Sequence, residues 1–193
     1  MSFHCGRLCG VGSPTSDSLL AVADEVALRP AREDDMSVFD QLFNDPDGAG
    51  PFQWYGWRDP TRFRRRLAEN GLLTDDGGTL MVVLADEPVG FISWRKVPTS
   101  MSSFCWNIGI GLMPGHRGHG YGTQAQRLLV RYLFAHTQVQ RVEAATDVDN
   151  HAEQRALEKA GFQREGVLRG YGFRLGAWHD GVLYSVLRDE VTS

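Results

Sequence analysis

The segment "GLMPGHRGHGYGTQAQRLLVRYLF", residues 111–134, constrains the fold of this chain more than any other. A strand-like run ends at a proline, crosses a basic, glycine-rich turn and continues as apolar residues at helical spacing. Backbone N–H groups at the start of a helix form an anion site, and glycine lets the anion approach closely. The segment therefore predicts a strand–turn–helix unit that binds a phosphate group at its turn.

The strand before this turn has an unusual alternation. Ile108, Ile110 and Leu112 alternate with Gly109 and Gly111. One face of the strand is therefore apolar, whereas the other carries no side chains. Such a strand either packs closely under a helix or admits a ligand against its backbone, and the pattern leaves both interpretations open.

Apolar spacing along the rest of the chain predicts further strands and helices in the order β α α β β β α β α β β. The strands include "EVALRP", the hairpin "TLMVVLA" and "VGFISWRKV", and "RVEAATD"; one helix begins at Pro60 and another ends at Gly161. The last two strands are predicted to join around "GAWHDG". This order is typical of a mixed α/β sandwich, in which helices cover a central sheet.

Length and composition predict one globular domain. The chain has 193 residues, of which 42% are hydrophobic, which is enough for one buried core. Residues 1–24 are rich in glycine and serine and are expected to form a flexible leader before a domain at 25–193. His4, Cys5 and Cys9 in this leader lack a fourth well-spaced ligand, so no metal site is predicted.

Charge and hydropathy restrict the partners of the chain. The net charge of -4 gives no general attraction to nucleic acid or to an anionic membrane, so phosphate binding has to be local. The sequence has neither an apolar run long enough to span a bilayer nor a secretory signal. We therefore expect a cytoplasmic protein with no nucleic-acid or membrane partner.

The turn differs from the common phosphate-binding loops but matches another signature. The spacing of Arg117, Gly120 and Gly122 is not that of dinucleotide-binding folds, and the P-loop lysine is missing. "RGHGYG" matches the acetyl-CoA signature of the GNAT acetyltransferase superfamily, (Arg/Gln)-x-x-Gly-x-(Gly/Ala). With "TDVDN", "ALEKAGFQREGVLR" and "WHDGVLYSVLRDE" in order, the chain resembles the RimJ/RimL-type branch of that superfamily. The resemblance implies the GNAT fold, an α/β fold with a mixed, mostly antiparallel central sheet flanked by helices.

The resemblance also implies an acetyl-CoA site, with pantetheine along the strand and pyrophosphate on the amides of the turn. The backbone N–H of Leu112 is expected to donate to the oxyanion that forms on the thioester. Asn150 is expected to bind pantetheine, although Asn150 and Glu153 also form a capping-box pattern; Thr123 is expected either to bind a phosphate or to serve only the helix. The expected cofactor-binding residues are Ile110, Gly111, Leu112, Arg117, Gly118, His119, Gly120, Tyr121, Gly122, Thr123 and Asn150.

At the positions where members of this branch carry groups for proton transfer, the chain has different residues. Many of its members have serine in place of Glu153, where a carboxyl group can donate a proton only if it is protonated. Leu157 replaces a tyrosine acid, and Asn107 stands where some relatives have a glutamate base. Asp147, at the end of "RVEAATD", is the candidate base, with Glu143 as a second choice and an ordinary loop carboxylate as the alternative interpretation of Asp147.

The activity implied is N-acetyl transfer from acetyl-CoA directly to a primary amine, by a monomer or homodimer. The amine is a protein N-terminus or a small amine such as an amino sugar, a polyamine or an antibiotic. The aromatic segment "PFQWYGW" and the loop "GAWHDG" are expected to border the acceptor, whereas "RFRRRL" is expected to be solvated or to lie beside the cofactor. The alternative is a catalytically weak acyl-CoA-binding sensor or assembly module.

Overall fold

The computed structural model describes residues 26–191, so the predicted leader and its cysteines lie outside the described residues. Short 3-10 turns lie at Glu33–Asp35, Pro114–His116 and Arg188–Glu190. The helices are α1 (Met36–Asn44), α2 (Pro46–Ala49), α3 (Arg62–Asn70), α4 (Tyr121–His136) and α5 (His151–Ala160). The strands are β1 (Ala27–Pro30), β2 (Leu73–Thr74), β3 (Gly77–Leu84), β4 (Glu87–Pro98), β5 (Phe104–Leu112), β6 (Arg141–Asp147), β7 (Gln163–Arg174) and β8 (Ala177–Leu187).

The strands form one sheet in the order β1-β3-β4-β5-β6-β8-β7, with β2 paired to β3. Only β5 and β6 run parallel, which confirms the predicted mixed, mostly antiparallel sheet. β5 pairs with β4 from Phe104 to Leu112, but its pairing with β6 ends at Ile108. Beyond Ile108 the two strands diverge, and a wedge opens in the middle of the sheet.

Helices cover both faces of the sheet because its central strands bury side chains in both directions. In β3, Leu80 and Val82 join the larger core, whereas Met81 and Val83 join the smaller one on the other face. The larger core takes the apolar stripe of α4, and the smaller one takes α1. Within residues 26–191, no helix is long and apolar enough to cross a membrane.

The end of the chain differs from the sequence prediction. The last two strands join at Leu175 and Gly176, which have φ of 50° and 83°, so the turn overlaps "GAWHDG" only at its first residue. Two consecutive residues with positive φ form the tight hairpin turn whose twist matches that of its strands. As a result Trp178, His179 and Asp180 belong to β8. The short elements α2 and β2 were not predicted either, because each is too short to show a periodic pattern.

Candidate active site

Two cavities lie along the wedge between β5 and β6 and share a wall. The first cavity, of about 380 Å³, lies over the turn before α4 and against α5. The second cavity, of about 410 Å³, lies between α1, the segment before α3 and the ends of β6 and β8. Molecules bound in the two cavities would meet at the residues that border both, which are Phe52, Gln53, Ile110, Asn150 and Glu153.

The glycine-rich turn presents its backbone to the first cavity. Gly118 and Gly120 have φ of 82° and 85°, and a Cβ at either position would meet nothing within 4 Å. Gly120 is the N-cap of α4, so no side chain caps the first N–H groups of this helix. Beside them His119 stacks on Tyr121 with ring centroids 5.6 Å apart. The turn thus has uncapped N–H groups and open space, an arrangement that suits an anion, and anion binding there remains a prediction.

Two further basic residues accompany Arg117 at the first cavity beside the turn. The guanidinium of Arg117 donates to the carbonyl of Leu112 at 2.8 Å and to that of Gly48, so it ties α2 to the end of β5. Arg155 and Lys159 of α5 also border the first cavity. The sequence analysis did not single them out, although their i, i+4 spacing places both on the same face of the helix.

The register of β5 orients its backbone toward the wedge. The N–H of Met113 donates to the carbonyl of Val89 on β4 at 2.9 Å. In an antiparallel pair, residues alternate between bonding the partner strand and pointing their N–H and C=O groups away from it, so these groups of Leu112 and Ile110 point away from β4. The N–H of Leu112 consequently points toward the side of the first cavity. The carbonyl of Ile110, on the same side, accepts from the Gln53 amide at 2.8 Å.

Glycine occupies two positions of β5 for different structural reasons. A Cβ on Gly111 would lie 2.7 Å from the buried ring of Phe91, so this glycine is required by packing on the face of α1. A Cβ on Gly109 would meet only the Ser93 hydroxyl, at 3.7 Å, and Gly109 borders the second cavity. Close packing, the first interpretation of the alternation, therefore explains Gly111. Gly109 fits the second interpretation, in which a ligand lies against the backbone.

Asn150 and Thr123 border the first cavity and also hold the local structure. Asn150 accepts from the N–H of Glu153 at 3.3 Å, which confirms it as the N-cap of α5, and donates to Thr146 at 3.1 Å. The hydroxyl of Thr123 donates to the carbonyl of Ala156 at 3.4 Å and so links α4 to α5. Their roles toward a ligand remain predictions.

Glu153 is held at the shared wall by a residue that the sequence analysis did not name. Its carboxyl group accepts from the side-chain amide of Gln126 at 2.5 Å, and burial raises the pKa of Glu153 to about 7. Gln126 is 1% exposed, and its side-chain oxygen has no partner among the described residues. The sequence could have pointed to Gln126, because it is a polar residue within the apolar stripe of α4, next to Ala125 and three residues before Leu129. The raised pKa allows Glu153 to carry a proton near neutral pH.

Asp147, the candidate base, lies in a buried ion pair at the second cavity. Its Oδ2 is 2.5 Å from the guanidinium of Arg174, and the two side chains are 10% and 7% exposed. Arg174 also donates to the carbonyl of Pro51 at 3.1 Å and lies over the ring of Phe52. The pair joins the end of β6 to the segment that borders both cavities. Glu143, the second choice, pairs with Arg141 and borders neither cavity.

We expect Asp147→Ala to lower the free energy of unfolding by about 3 kcal/mol, because it leaves the buried guanidinium of Arg174 without its partner. Chemical denaturation at pH 7 measures this loss. Asp180→Ala is the control, since Asp180 borders the same cavity but makes no salt bridge among residues 26–191. Equal stability of the Asp147→Ala variant and the unaltered protein would contradict the structural role of the pair.

Leu157, Asn107 and Cys105 all lie outside the lining of the two cavities. Leu157, which stands in place of the tyrosine acid, is fully buried in the larger core. Asn107 bonds the guanidinium of Arg95 at 3.1 Å and borders neither cavity. Burial raises the pKa of the Cys105 thiol to about 11, so this cysteine stays protonated.

The expected acceptor segments contribute only in part to the second cavity. Phe52 and Tyr55 border it, as do His179, Asp180 and Gly181 of β8. Trp54 instead packs edge-on against Trp57, whose side chain is 76% exposed. An aromatic wall therefore exists, but it is smaller than the sequence suggested.

The chain belongs to the GNAT acetyltransferase family, since the profile of the family's "Acetyltransferase (GNAT) domain" matches residues 25–163. A curated relative, the uncharacterized N-acetyltransferase YoaA of Bacillus subtilis, is 36% identical over 81 residues. The aligned part covers 42% of this chain and 46% of YoaA, so the chain spans about half the length of this relative.

Solved structures of GNAT enzymes share the fold. RimL, a ribosomal L7/L12 alpha-N-protein acetyltransferase solved with coenzyme A, has a TM-score of 0.74 at 21% identity, over 89% of this chain and 99% of RimL. A spermidine N-acetyltransferase from Vibrio cholerae, solved with CoA and spermine, has a TM-score of 0.71 at 15% identity, over 86% of this chain and 96% of that enzyme. The family profile thereby confirms the predicted GNAT membership, and the solved structures confirm the predicted fold.

Proposed function

We propose that this protein is an N-acetyltransferase that transfers the acetyl group of acetyl-CoA directly to a primary amine. The observation that carries the proposal is the wall shared by the two cavities. Direct transfer requires that both substrates are bound at once with their reacting atoms in contact. Acetyl-CoA would occupy the first cavity and the acceptor the second, so that the thioester and the amine meet beside Ile110, Asn150 and Glu153.

The residues of the first cavity fit acetyl-CoA. The open backbone from Gly118 to Gly122 suits its pyrophosphate, and Arg155 and Lys159 supply positive charge. Acetyl-CoA brings an acyl group activated as a thioester. The N–H of Leu112, in its fixed strand, is the proposed donor to the developing oxyanion, a contribution of about 3 kcal/mol. Of the other expected binding residues, Arg117 and Gly111 are proposed to shape the site, with the backbone of both still available to the cofactor.

Glu153 is the proposed acid. Gln126 binds one of its oxygens, which leaves the other to hold the proton at the shared wall. That proton can pass to a thiolate as it leaves. A carboxyl group thus takes the place of the serine that many relatives have.

Asp147 remains the proposed base, and it would accept the proton of the amine through a water molecule. Its Oδ2 is held by Arg174 and its Oδ1 accepts from the N–H of Asp149 at 2.9 Å, so neither oxygen is free. A base engaged in this way favours acceptors that are already partly neutral. An α-amine with a pKa near 7.7 to 8 is neutral in about a tenth of molecules at pH 7, against roughly one in a few thousand for lysine. We therefore place protein N-termini and other amines of low pKa ahead of polyamines.

The test is CoA release from acetyl-CoA with matched acceptors: N-terminal peptides, amino sugars, aminoglycosides and polyamines. We expect turnover with one class of low-pKa amine. Calorimetric binding of acetyl-CoA without turnover of any acceptor would contradict the proposal and favour the acyl-CoA sensor. The enzyme is proposed to work as a monomer or homodimer, and both cavities are bordered by residues of one chain.

A further inference from the structure

The second cavity contains two arginines that lack a carboxylate. Arg58 and Arg62 border it from the side of α3. Of their neighbours in the helix, Arg64 pairs with Glu33 at 2.6 Å and Arg65 with Asp59 at 3.1 Å. Neither cavity arginine forms a salt bridge with any residue between 26 and 191. Two outward arginines of this helix, Arg64 and Arg65, are thus neutralised. Arg62, which borders the cavity, and Arg66, which does not, form no salt bridge among the described residues.

The surroundings of Arg62 concentrate its charge. Its guanidinium lies over the rings of Phe43 and Phe63, at 4.7 Å and 4.4 Å from their centroids. Burial lowers the pKa of Arg62 and the charges of Arg58 and Arg66 lower it further, while the charge of Asp59 offsets part of this. Stacking on aromatic rings stabilises a guanidinium but leaves its hydrogen-bond donors free. The group is thus oriented and partly desolvated, with no salt-bridge partner among residues 26–191.

The acidic groups of the cavity lie at its opposite side and have partners there. Asp147 is paired with Arg174, and Asp180 accepts from the N–H of Gly170 at 2.7 Å. Glu153, at the shared wall, has a pKa that burial raises to about 7, which disfavours its charged form. His179 of β8 also borders the cavity, and its Nδ1 is 3.9 Å from Asp147. The cavity is therefore cationic toward α3 and acidic toward the sheet.

We infer that the acceptor of this enzyme is an amine that also carries an anionic group, a carboxylate or a phosphate, which Arg62 binds with the help of Arg58. This inference rests on the proposed function and names the substrate class of the same site. Both anions suit the planar donor fork of a guanidinium. With the anion at Arg62, the amine of the acceptor would face the sheet side and the shared wall. A polyamine would instead bring positive charge to two unpaired arginines, which disfavours its binding.

The inference is tested with acceptors that differ only in the anion. One pair is Ser-Asp-Ala-amide and Ser-Asn-Ala-amide, and the other is phosphoethanolamine and ethanolamine, so that peptides and small molecules are separate arms. For one pair we expect the anionic member to have a kcat/KM at least about tenfold higher, chiefly through KM. Arg62→Gln should bring this ratio close to one, and Arg62→Lys should keep part of it. Arg66→Gln is the matched control, since Arg66 belongs to the same helix but does not border the cavity.

Each outcome separates the inference from the proposed function. Turnover of both members of each pair at equal rates would overturn the inference and leave the transferase intact. An equal effect of Arg62→Gln on anionic and neutral acceptors would also overturn it, because that is the result of a structural role. If no acceptor turns over, calorimetric binding of the same pairs to the CoA complex decides the preference. Equal affinity within both pairs would again contradict the inference.

Discussion

Gly120→Glu is expected to weaken acetyl-CoA binding by about 100-fold or more and to abolish transfer. Gly120 has φ of 85° and is the N-cap of α4, where the proposed pyrophosphate site lies. A glutamate there would place a negative charge among the N–H groups that are to bind phosphate, and like charges held together cost several kcal/mol. Its Cβ would also be strained at positive φ, by about 1–2 kcal/mol. Calorimetry with acetyl-CoA and CoA release measure the two effects.

The strain and the charge can be separated with a matched variant. Gly161 also has positive φ, 101°, and open space around its Cα, but it ends α5 and borders neither cavity. Gly161→Glu should therefore lose stability and keep its affinity for acetyl-CoA. Unchanged binding by Gly120→Glu, or equal loss of binding by both variants, would contradict a cofactor site at the turn.

Glu153→Gln is expected to lower kcat about 100-fold, because the amide cannot donate the proton of a carboxylic acid. The effect should fall on kcat with little change in the KM for acetyl-CoA. The pKa of Glu153 is about 7, so the activity of the unaltered enzyme should decline above pH 7 as this carboxyl group ionises. A pH profile of kcat from pH 6 to 9, with an acceptor of low pKa, measures this limb, which the variant should lack.

Glu153→Gln lowers activity but is expected to raise stability at high pH. The folded protein raises the pKa of Glu153 from its ordinary 4.5 to about 7, so it binds this proton more tightly than the unfolded chain does. The free energy of unfolding therefore falls as the pH rises from 4.5 to about 7, and it remains reduced above that range. Glutamine does not ionise and avoids this loss. We therefore expect the Tm of Glu153→Gln, measured against that of the unaltered protein, to be higher at pH 8.5 than at pH 5. A thermal melt at both pH values checks this sign.

Glu153→Ser is the control for the role of the acid, because serine is the residue that many relatives have at this position. It should recover part of kcat and lose the limb near pH 7. Full activity of Glu153→Gln across the pH range would show that Glu153 donates no proton in the rate-limiting step.

The local patterns of this chain were enough to predict its fold class and its proposed cofactor site. The glycine spacing of "RGHGYG" between a strand and a helix depends on contacts within a few residues, and so does the cap of α5 at Asn150. The sequence also indicated that Leu157 was unsuitable as an acid, and the structure buries it completely. The hairpin before β8 was misplaced because Leu175 adopts a positive φ that the side chain does not favour.

Only the tertiary structure decided the chemistry of the shared wall. Burial raises the pKa of Glu153 to about 7, and the hydrogen bond from Gln126, which lies 27 residues earlier, partly offsets that rise. Asp147 is paired with Arg174, also 27 residues away, so its charge is not free as the sequence alone allowed. Arg62 faces the second cavity because its helix packs beside α1, whereas "RFRRRL" gave no indication of which arginine would find a partner. Sequence spacing determines which residues share a face of one element, but burial and charge depend on the elements packed against that face.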